Sequence, residues 1–217
     1  MIDRRTTLSA LTAFTFSMVG IIKSSAFAEE AVIPEVLATR LLKSVSPLGE
    51  RTIGVDNASV NMVVYGSTTC EHSAEFSQNV WPQLRNKYVA AGKLRFIFRE
   101  LPLDNLALAT FVLVRSLPED QYFPMLEVLW KQQKVWRTRA PKNELLQIMK
   151  MAGMTIEKYE STLQNKDAML AVYNAGKSAQ AEYGIKKTPT IFINGRLVAT
   201  HEEASEFVTI IDSELAA

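Results

Sequence analysis

The sequence has very little cysteine and histidine. Its 217 residues include a single cysteine, Cys70, and only two histidines. One cysteine excludes a disulfide framework within the chain, and it excludes zinc or iron–sulfur sites built from several cysteines. The sequence shows no cluster of carboxylates that could complete a metal site together with the histidines. We therefore expect neither a metal nor a cofactor, and the question becomes what a single cysteine does.

The chain also has almost no net charge. There are 24 Lys and Arg against 23 Asp and Glu, for a formal net charge of +1. Because affinity for a nucleic-acid backbone needs clustered Lys and Arg, we expect no nucleic-acid partner. Hydrophobic residues make up 47% and charged residues 22%, a globular mixture that argues against collagen, low-complexity disorder and a multi-span membrane protein.

Residues 1–28 have the three parts of a secretory signal peptide. Arg4 and Arg5 give a positive start, residues 8–22 form an apolar run, and residues 26–28 (Ala-Phe-Ala) form a small-x-small cleavage site. The run is shorter than the roughly 20 residues of a membrane span. We expect cleavage after Ala28 and no stable membrane insertion afterwards, with an uncleaved anchor as the alternative. The Sec and Tat routes both stay open.

The next part of the chain predicts strands around one helix. Residues 29–47 form an N-terminal segment that contains an amphipathic helix and a connector. A short edge strand is predicted at residues 51–54 and a buried strand at residues 60–66, which leads directly to Cys70. Apolar residues at helical spacing follow Cys70 up to Gly92, and a second apolar strand follows that glycine. A unit of this kind implies a right-handed crossover and parallel strands.

The remainder predicts a helical block and then a hairpin. Apolar residues recur with the 3.6-residue period of an α-helix throughout the block. Helices are predicted at residues 106–117, 121–133, 142–152, 155–163 and 167–183. Strands return at residues 190–194 and 197–200 around Asn194-Gly195, a strong hairpin signal. A final helix is predicted at residues 202–215.

These segments resemble the thioredoxin fold. The resemblance rests on Cys70-Glu71-His72-Ser73 after a strand and on Lys187-Thr188-Pro189-Thr190 before a hairpin. The helical block resembles the insertion of DsbA-like thiol:disulfide oxidoreductases, and residues 96–103 resemble bacterial, especially alphaproteobacterial, members. The resemblance implies an α/β, thioredoxin-like domain over residues 48–217 with an inserted helical subdomain at about 104–184.

Cys70 is the candidate nucleophile. A cysteine at the first turn of a helix faces unpaired backbone N–H groups and the positive end of the helix dipole, which both favour the thiolate. His72 adds a nearby donor or cation, whereas Glu71 opposes the thiolate by like-charge repulsion. The alternative is that Cys70 is simply a small buried apolar residue.

Thr188 and Pro189 are the candidate substrate-binding residues. An X-Pro bond is the only peptide bond at which the cis isomer is common. The resemblance implies that Pro189 is cis and packs beside the cysteine, and that the backbone of Thr188 pairs with an extended substrate segment. An ordinary trans turn proline is the alternative.

Ser73 departs from the pattern of the family, in which Cys-x-x-Cys is usual. A hydroxyl can donate a hydrogen bond to the Cys70 thiolate, but it cannot form a disulfide. The chain therefore cannot store two oxidising equivalents by itself. One cysteine still permits attack on a substrate disulfide and release by another thiol.

We predict an exported, periplasmic protein that performs monothiol exchange, isomerase-like or dependent on a small thiol. Its expected partners are secreted or periplasmic client proteins with cysteines, together with a small thiol or a membrane redox partner. The main alternative is a redox-inactive, chaperone-like peptide-binding module on the same fold. A one-cysteine peroxidase would match Ser67, three residues before Cys70, but Val63 stands where its proline is expected. Glutathione transferases place their helices after the thioredoxin unit rather than inside it.

Overall fold

A computed structural model describes residues 35–43, 46–198 and 203–217. The signal peptide predicted at residues 1–28 lies outside these ranges. Among the described helices, none combines the length and the apolar character that crossing a membrane requires.

The centre of the fold is a mixed sheet of five strands within the described residues. They are β1 (Arg51–Ile53), β2 (Val60–Gly66), β3 (Leu94–Glu100), β4 (Thr190–Ile193) and β5 (Arg196–Val198). Their order is β1-β3-β2-β4-β5. β2 and β3 are parallel, as predicted, and the other three pairs are antiparallel.

Both faces of the sheet are buried, which explains why β2 is a nearly continuous apolar run. Successive side chains point to opposite faces: Met62 and Val64 join one hydrophobic cluster, whereas Val63 and Tyr65 join the other. Helix α1 (Glu35–Lys43) contributes the fully buried Leu41 to the second cluster.

The segment after Cys70 is helical but not one regular helix. It consists of α2 (Glu71–Glu75), a π-helical turn (Phe76–Val80), α3 (Trp81–Leu84) and a second π-helical turn (Arg85–Val89). Pro82 stands in the first turn of α3. Because proline has no backbone N–H and crowds the preceding turn, it interrupts the regular ladder that the apolar spacing predicted.

The helical block lies between β3 and β4, as predicted. Three of its helices begin at side-chain caps, since Asp104, Thr155 and Asn165 accept from the backbone N–H three residues later. The helices are α4 (Asn105–Arg115), a 3₁₀ turn (Glu119–Gln121), α5 (Tyr122–Lys131), α6 (Gln133–Trp136), α7 (Lys142–Met151), α8 (Ile156–Gln164) and α9 (Lys166–Tyr183).

One helix predicted in this block is divided in two. The sequence predicts a single helix over residues 121–133, but Gln132 leaves the helical conformation at φ −99° and ψ 15° and separates α5 from α6. The separation allows Trp136 to be fully buried, with its indole N–H donating to the carbonyl of Leu129 at 2.7 Å.

The predicted hairpin is confirmed. Asn194 and Gly195 both have positive φ, at 47° and 82°, as a two-residue hairpin turn requires. A Cβ at Gly195 would also lie 2.6 Å from the Cβ of Ala38 in α1, so glycine permits the close approach. The final helix, α10 (Ala204–Ala216), begins two residues later than predicted and buries Phe207 and Ile211 against the sheet.

Candidate active site

Cys70 lies where β2 passes into α2. It is the N-cap residue of α2, with extended backbone angles of φ −83° and ψ 126°, and its carbonyl accepts from the Ala74 N–H at 3.2 Å. The thiol is free and partly buried. The predicted position of Cys70 at a helix start is therefore confirmed.

Thr188 and Pro189 are brought directly opposite the cysteine. The Thr188–Pro189 peptide is cis, the isomer that the resemblance implies. The Cys70 thiol donates to the carbonyl oxygen of Thr188, with 3.1 Å between Sγ and O. Two distant parts of the chain, the junction of β2 with α2 and the turn before β4, thus meet at one sulfur.

Ser73 is buried beneath this junction. Its hydroxyl oxygen accepts from the backbone N–H of Ser67 at 3.3 Å, so its own proton is available for donation. It lines a small, mainly apolar cavity of about 20 Å³ with Pro189, Trp130 and other aromatic residues. At the end of β2, a Cβ on Gly66 would lie 2.7 Å from the Phe98 ring, so this position is tightly packed.

His72 lies on the outside of α2. Its Nδ1 is 3.0 Å from a carboxylate oxygen of Glu75, and its side chain is 71% exposed. Because an exposed pair of this kind is weak, the imidazole is only loosely held. The structure places His72 two residues from the cysteine, and its influence on the sulfur stays a prediction.

The helical insertion holds the loop that carries Cys70. The Trp130 indole donates to the carbonyl of Ser67 at 3.1 Å. The side-chain amide of Gln133 donates to the carbonyls of Thr68 and Cys70 at 2.8 and 3.0 Å. The sequence analysis missed Gln133, because a glutamine near a predicted helix end carries no signal that it turns inward.

A buried charge network lies near the carboxyl ends of β2 and β3. Glu100 accepts from Arg115, whose Nε and Nη2 lie 2.5 and 2.9 Å from its two oxygens, and from the Tyr122 hydroxyl. Burial and the negative charge of Glu100 raise the pKa of Tyr122 well above its usual value. Burial raises the pKa of Tyr65 to about 12, although the adjacent Arg99 opposes that rise. Both tyrosines therefore stay neutral donors and acceptors at ordinary pH.

A groove of about 300 Å³ lies between α2 and the helical insertion, next to the loop that carries Cys70. The groove is lined on the α2 side by the acidic residues Glu71 and Glu75. On the other side it is lined by the basic residues Lys131 of α5 and Lys134 of α6. In the part of the chain that the structure describes, no group of His, Cys, Asp and Glu is arranged to hold a metal ion.

A thioredoxin-like fold with a helical insertion, and with a cysteine at a helix start facing a cis-proline, defines the class of protein. A thioredoxin family model matches residues 47–213. The chain therefore belongs to the thioredoxin family, in its DsbA-like group.

Similar proteins come from several bacteria. The chain is 30% identical over 149 residues to a Rickettsia conorii protein provisionally named a protein-disulfide oxidoreductase. The match covers 67% of this chain and 53% of that protein, so the chain spans about half the length of this relative. This chain is also 22% identical to disulfide bond formation protein D of Bacillus subtilis, and that match covers 77% of this chain and 78% of that protein.

Among solved structures, the fold is similar to Wolbachia pipientis alpha-DsbA1. The identity is 25%, the TM-score is 0.72, and the match covers 77% of this chain and 91% of that chain. The α/β, thioredoxin-like fold with an inserted helical subdomain, predicted from the sequence, is therefore confirmed.

Proposed function

We propose that this chain is an exported thiol–disulfide exchange protein that acts on the disulfides and thiols of client proteins through Cys70 alone. The observation that carries the proposal is the position of the sulfur, at the N-cap of α2 and 3.1 Å from the carbonyl oxygen before a cis-proline. The names of the relatives, which refer to disulfide oxidoreductase and disulfide bond formation, support the same chemistry.

The exchange begins when the Cys70 thiol loses its proton to solvent. The thiolate attacks one sulfur of a client disulfide, forms a bond to that sulfur, and displaces the other client sulfur as a thiolate. A third client thiolate then attacks the mixed disulfide at the client sulfur and restores the Cys70 thiolate. The client has exchanged one disulfide for another, so no external oxidant or reductant is consumed.

A small thiol provides a second route to release. Its thiolate attacks the client sulfur of the mixed disulfide, leaves a client–small-thiol disulfide, and returns Cys70 to the thiolate form. Ser73 supplies a hydroxyl in both routes but no second sulfur, so the step in which a Cys-x-x-Cys protein expels its client by closing its own disulfide is absent from this proposal.

The neighbouring residues support these steps. The first-turn N–H groups of α2 and the Ser73 hydroxyl stabilise negative charge on the sulfur, and His72 adds a cation when it is protonated. The backbone of Thr188, held by Pro189, offers an edge on which an extended client segment pairs. The groove between α2 and the insertion accommodates the rest of that segment.

Export forms part of the proposal. We propose that residues 1–28 direct the chain out of the cytoplasm and into the periplasm, where secreted proteins form their disulfides. The clients are then secreted or periplasmic proteins with cysteines, and a small thiol or a membrane redox partner sets the overall redox balance.

A refolding assay tests the function. A client with scrambled disulfides is incubated with the wild type or with Cys70→Ala, and recovery of client activity is followed with and without a small thiol. The wild type is expected to accelerate recovery, and Cys70→Ala is expected to match the uncatalysed rate. If Cys70→Ala works as well as the wild type, the groove alone is functional and the chaperone-like module is the correct description.

A further inference from the structure

Gln133 has an unusual position for a residue at a helix boundary. α5 ends at Lys131, Gln132 adopts a non-helical conformation, and Gln133 begins the short α6. Its side chain is directed into the protein, where the residue is only 6% exposed. The break in the helix therefore places a polar side chain among the loop residues that precede α2.

The Gln133 amide nitrogen bridges two carbonyls of that loop. Nε2 lies 2.8 Å from the oxygen of Thr68 and 3.0 Å from the oxygen of Cys70. A carboxamide nitrogen carries two N–H donors, and both partners are pure acceptors, so each hydrogen of the amide has its own carbonyl. A glutamate carboxylate at this position would place acceptor oxygens against the two carbonyl oxygens, which are acceptors themselves. A methionine side chain would have no N–H to donate.

These two bonds restrain the backbone that carries Cys70. The bridged carbonyls belong to the Thr68–Thr69 and Cys70–Glu71 peptides, so the amide restrains peptide planes before and after Cys70. The carbonyl of Cys70 also accepts from Ala74 in the first turn of α2, so the amide ties the loop to the helix start. The donors also offset the negative ends of two carbonyl dipoles in the backbone around Cys70, so their loss is expected to disfavour a thiolate there.

The geometry points to Gln133 as a positioning residue for Cys70. It acts through the loop backbone to aim the sulfur at the Thr188 edge and to favour its deprotonation. The inference rests on the proposed function, since it assigns to the helical insertion a direct influence on the exchange step.

The test measures alkylation of Cys70 by iodoacetamide across a pH series in the folded, full-length protein. Gln133→Met and Gln133→Glu are compared with the wild type and with Gln83→Met, a control that removes an exposed glutamine bonded within its own helical segment. Charged side chains on neighbouring elements are unchanged in all four proteins; they are Glu71, His72, Glu75, Lys131, Lys134 and Lys187.

Loss of the two donors is expected to slow alkylation near neutral pH by about tenfold in Gln133→Met. The slowing is larger in Gln133→Glu, and the rates converge with the wild type at high pH, where every sulfur is ionised. Gln83→Met keeps the wild-type profile. A merely structural role would lower the unfolding midpoint but leave this pH profile unmoved, and that result would overturn the inference.

If the methionine variant does not fold, Gln133→Asn carries the same test, because it keeps the amide but withdraws it by one methylene group. The readout also separates the two proposals. An unchanged profile in a folded Gln133 variant refutes the positioning role and leaves the exchange function standing. A Cys70→Ala protein that matches the wild type in refolding refutes the exchange function, and with it the role of Gln133 in exchange.

Discussion

The thiol of Cys70 and the carbonyl oxygen of Thr188 lie 3.1 Å apart, although the two residues are 118 positions apart in the sequence. In the resting protein the S–H donates to this oxygen. When the proton leaves, the same contact becomes repulsive, because a thiolate then faces the negative end of a carbonyl dipole. Ionisation of the sulfur therefore gives up this hydrogen bond, which the Thr188 carbonyl forms only with the protonated thiol.

Replacing the Thr188 side chain is expected to stabilise the protein. The Thr188 hydroxyl oxygen is buried and has no hydrogen-bond partner among the described residues. Thr188→Val removes this unsatisfied group and keeps the carbonyl that receives the thiol. We expect the free energy of unfolding in urea to rise by about 1 kcal/mol.

Thr190→Val provides the matched control for that measurement. The Thr190 hydroxyl donates to the carbonyl of Lys187 at 2.6 Å, so its loss is expected to destabilise the protein by about 1 kcal/mol. A destabilisation of the same size in both variants would show that the Thr188 hydroxyl is satisfied, contrary to the structure.

Ser73→Cys is expected to create a protein that forms its own disulfide. Residues 70 and 73 are separated by about 4.5 Å along a helix axis, within the reach of a disulfide. After mild oxidation, thiol titration should find no free thiol in the monomer. The variant should then oxidise a reduced client in a single turnover, which the wild type cannot do.

Ser77→Cys is the control, since position 77 lies about 10 Å from position 70 along the same axis, too far for a disulfide. It should keep two free thiols under the same conditions. Two free thiols in oxidised Ser73→Cys as well would mean that the side chain at position 73 does not reach the sulfur of Cys70.

Removal of the Arg115 charge should strongly destabilise the fold. The Glu100 side chain is 2% exposed, and Arg115 binds both of its carboxylate oxygens. Arg115→Met leaves this buried carboxylate without its cation, which is expected to lower the free energy of unfolding by about 3–5 kcal/mol. Arg40→Met, which breaks an exposed pair with Glu182, should cost no more than about 1 kcal/mol. An equal loss of unfolding free energy in the two variants would contradict the buried interaction between Arg115 and Glu100.

Asp212 should contribute a stability that depends on pH. The Tyr88 hydroxyl and the Lys87 ammonium donate to this carboxylate at 2.7 and 3.1 Å, and they hold its pKa below the usual value. A carboxylate with a lowered pKa stabilises the folded state above the pKa of the unfolded chain, and the contribution is lost as the pH falls.

Asp212→Asn should therefore differ from the wild type in unfolding free energy most at neutral pH, and the two proteins should converge in acid. Urea unfolding at a series of pH values measures this difference. A difference that grows as the pH falls would reverse the expected sign.

The elements with local signals could be predicted from the sequence. The bounds of β2 match because an apolar β-branched run ends at turn residues, and the cap at Thr155 and the turn at Asn194-Gly195 depend on nearby atoms alone. The interruption after Cys70 was missed, although Pro82 gave a visible reason for it.

Other parts of the site have no local signal. The role of Gln133 depends on where two distant segments meet. The sequence analysis identified the sulfur and the proline that faces it, but it could not identify the side chains from the helical insertion that hold the loop in place.

The most direct test of the central claim is a search for a covalent bond between Cys70 and a client. The folded protein is mixed with a model peptide that contains a disulfide, the reaction is quenched with acid, and the products are analysed by mass spectrometry. We predict a mixed disulfide that joins Cys70 to one peptide sulfur, that is absent from Cys70→Ala and that disappears when a small thiol is added. A folded wild-type protein that forms no such adduct with a disulfide peptide would contradict the account.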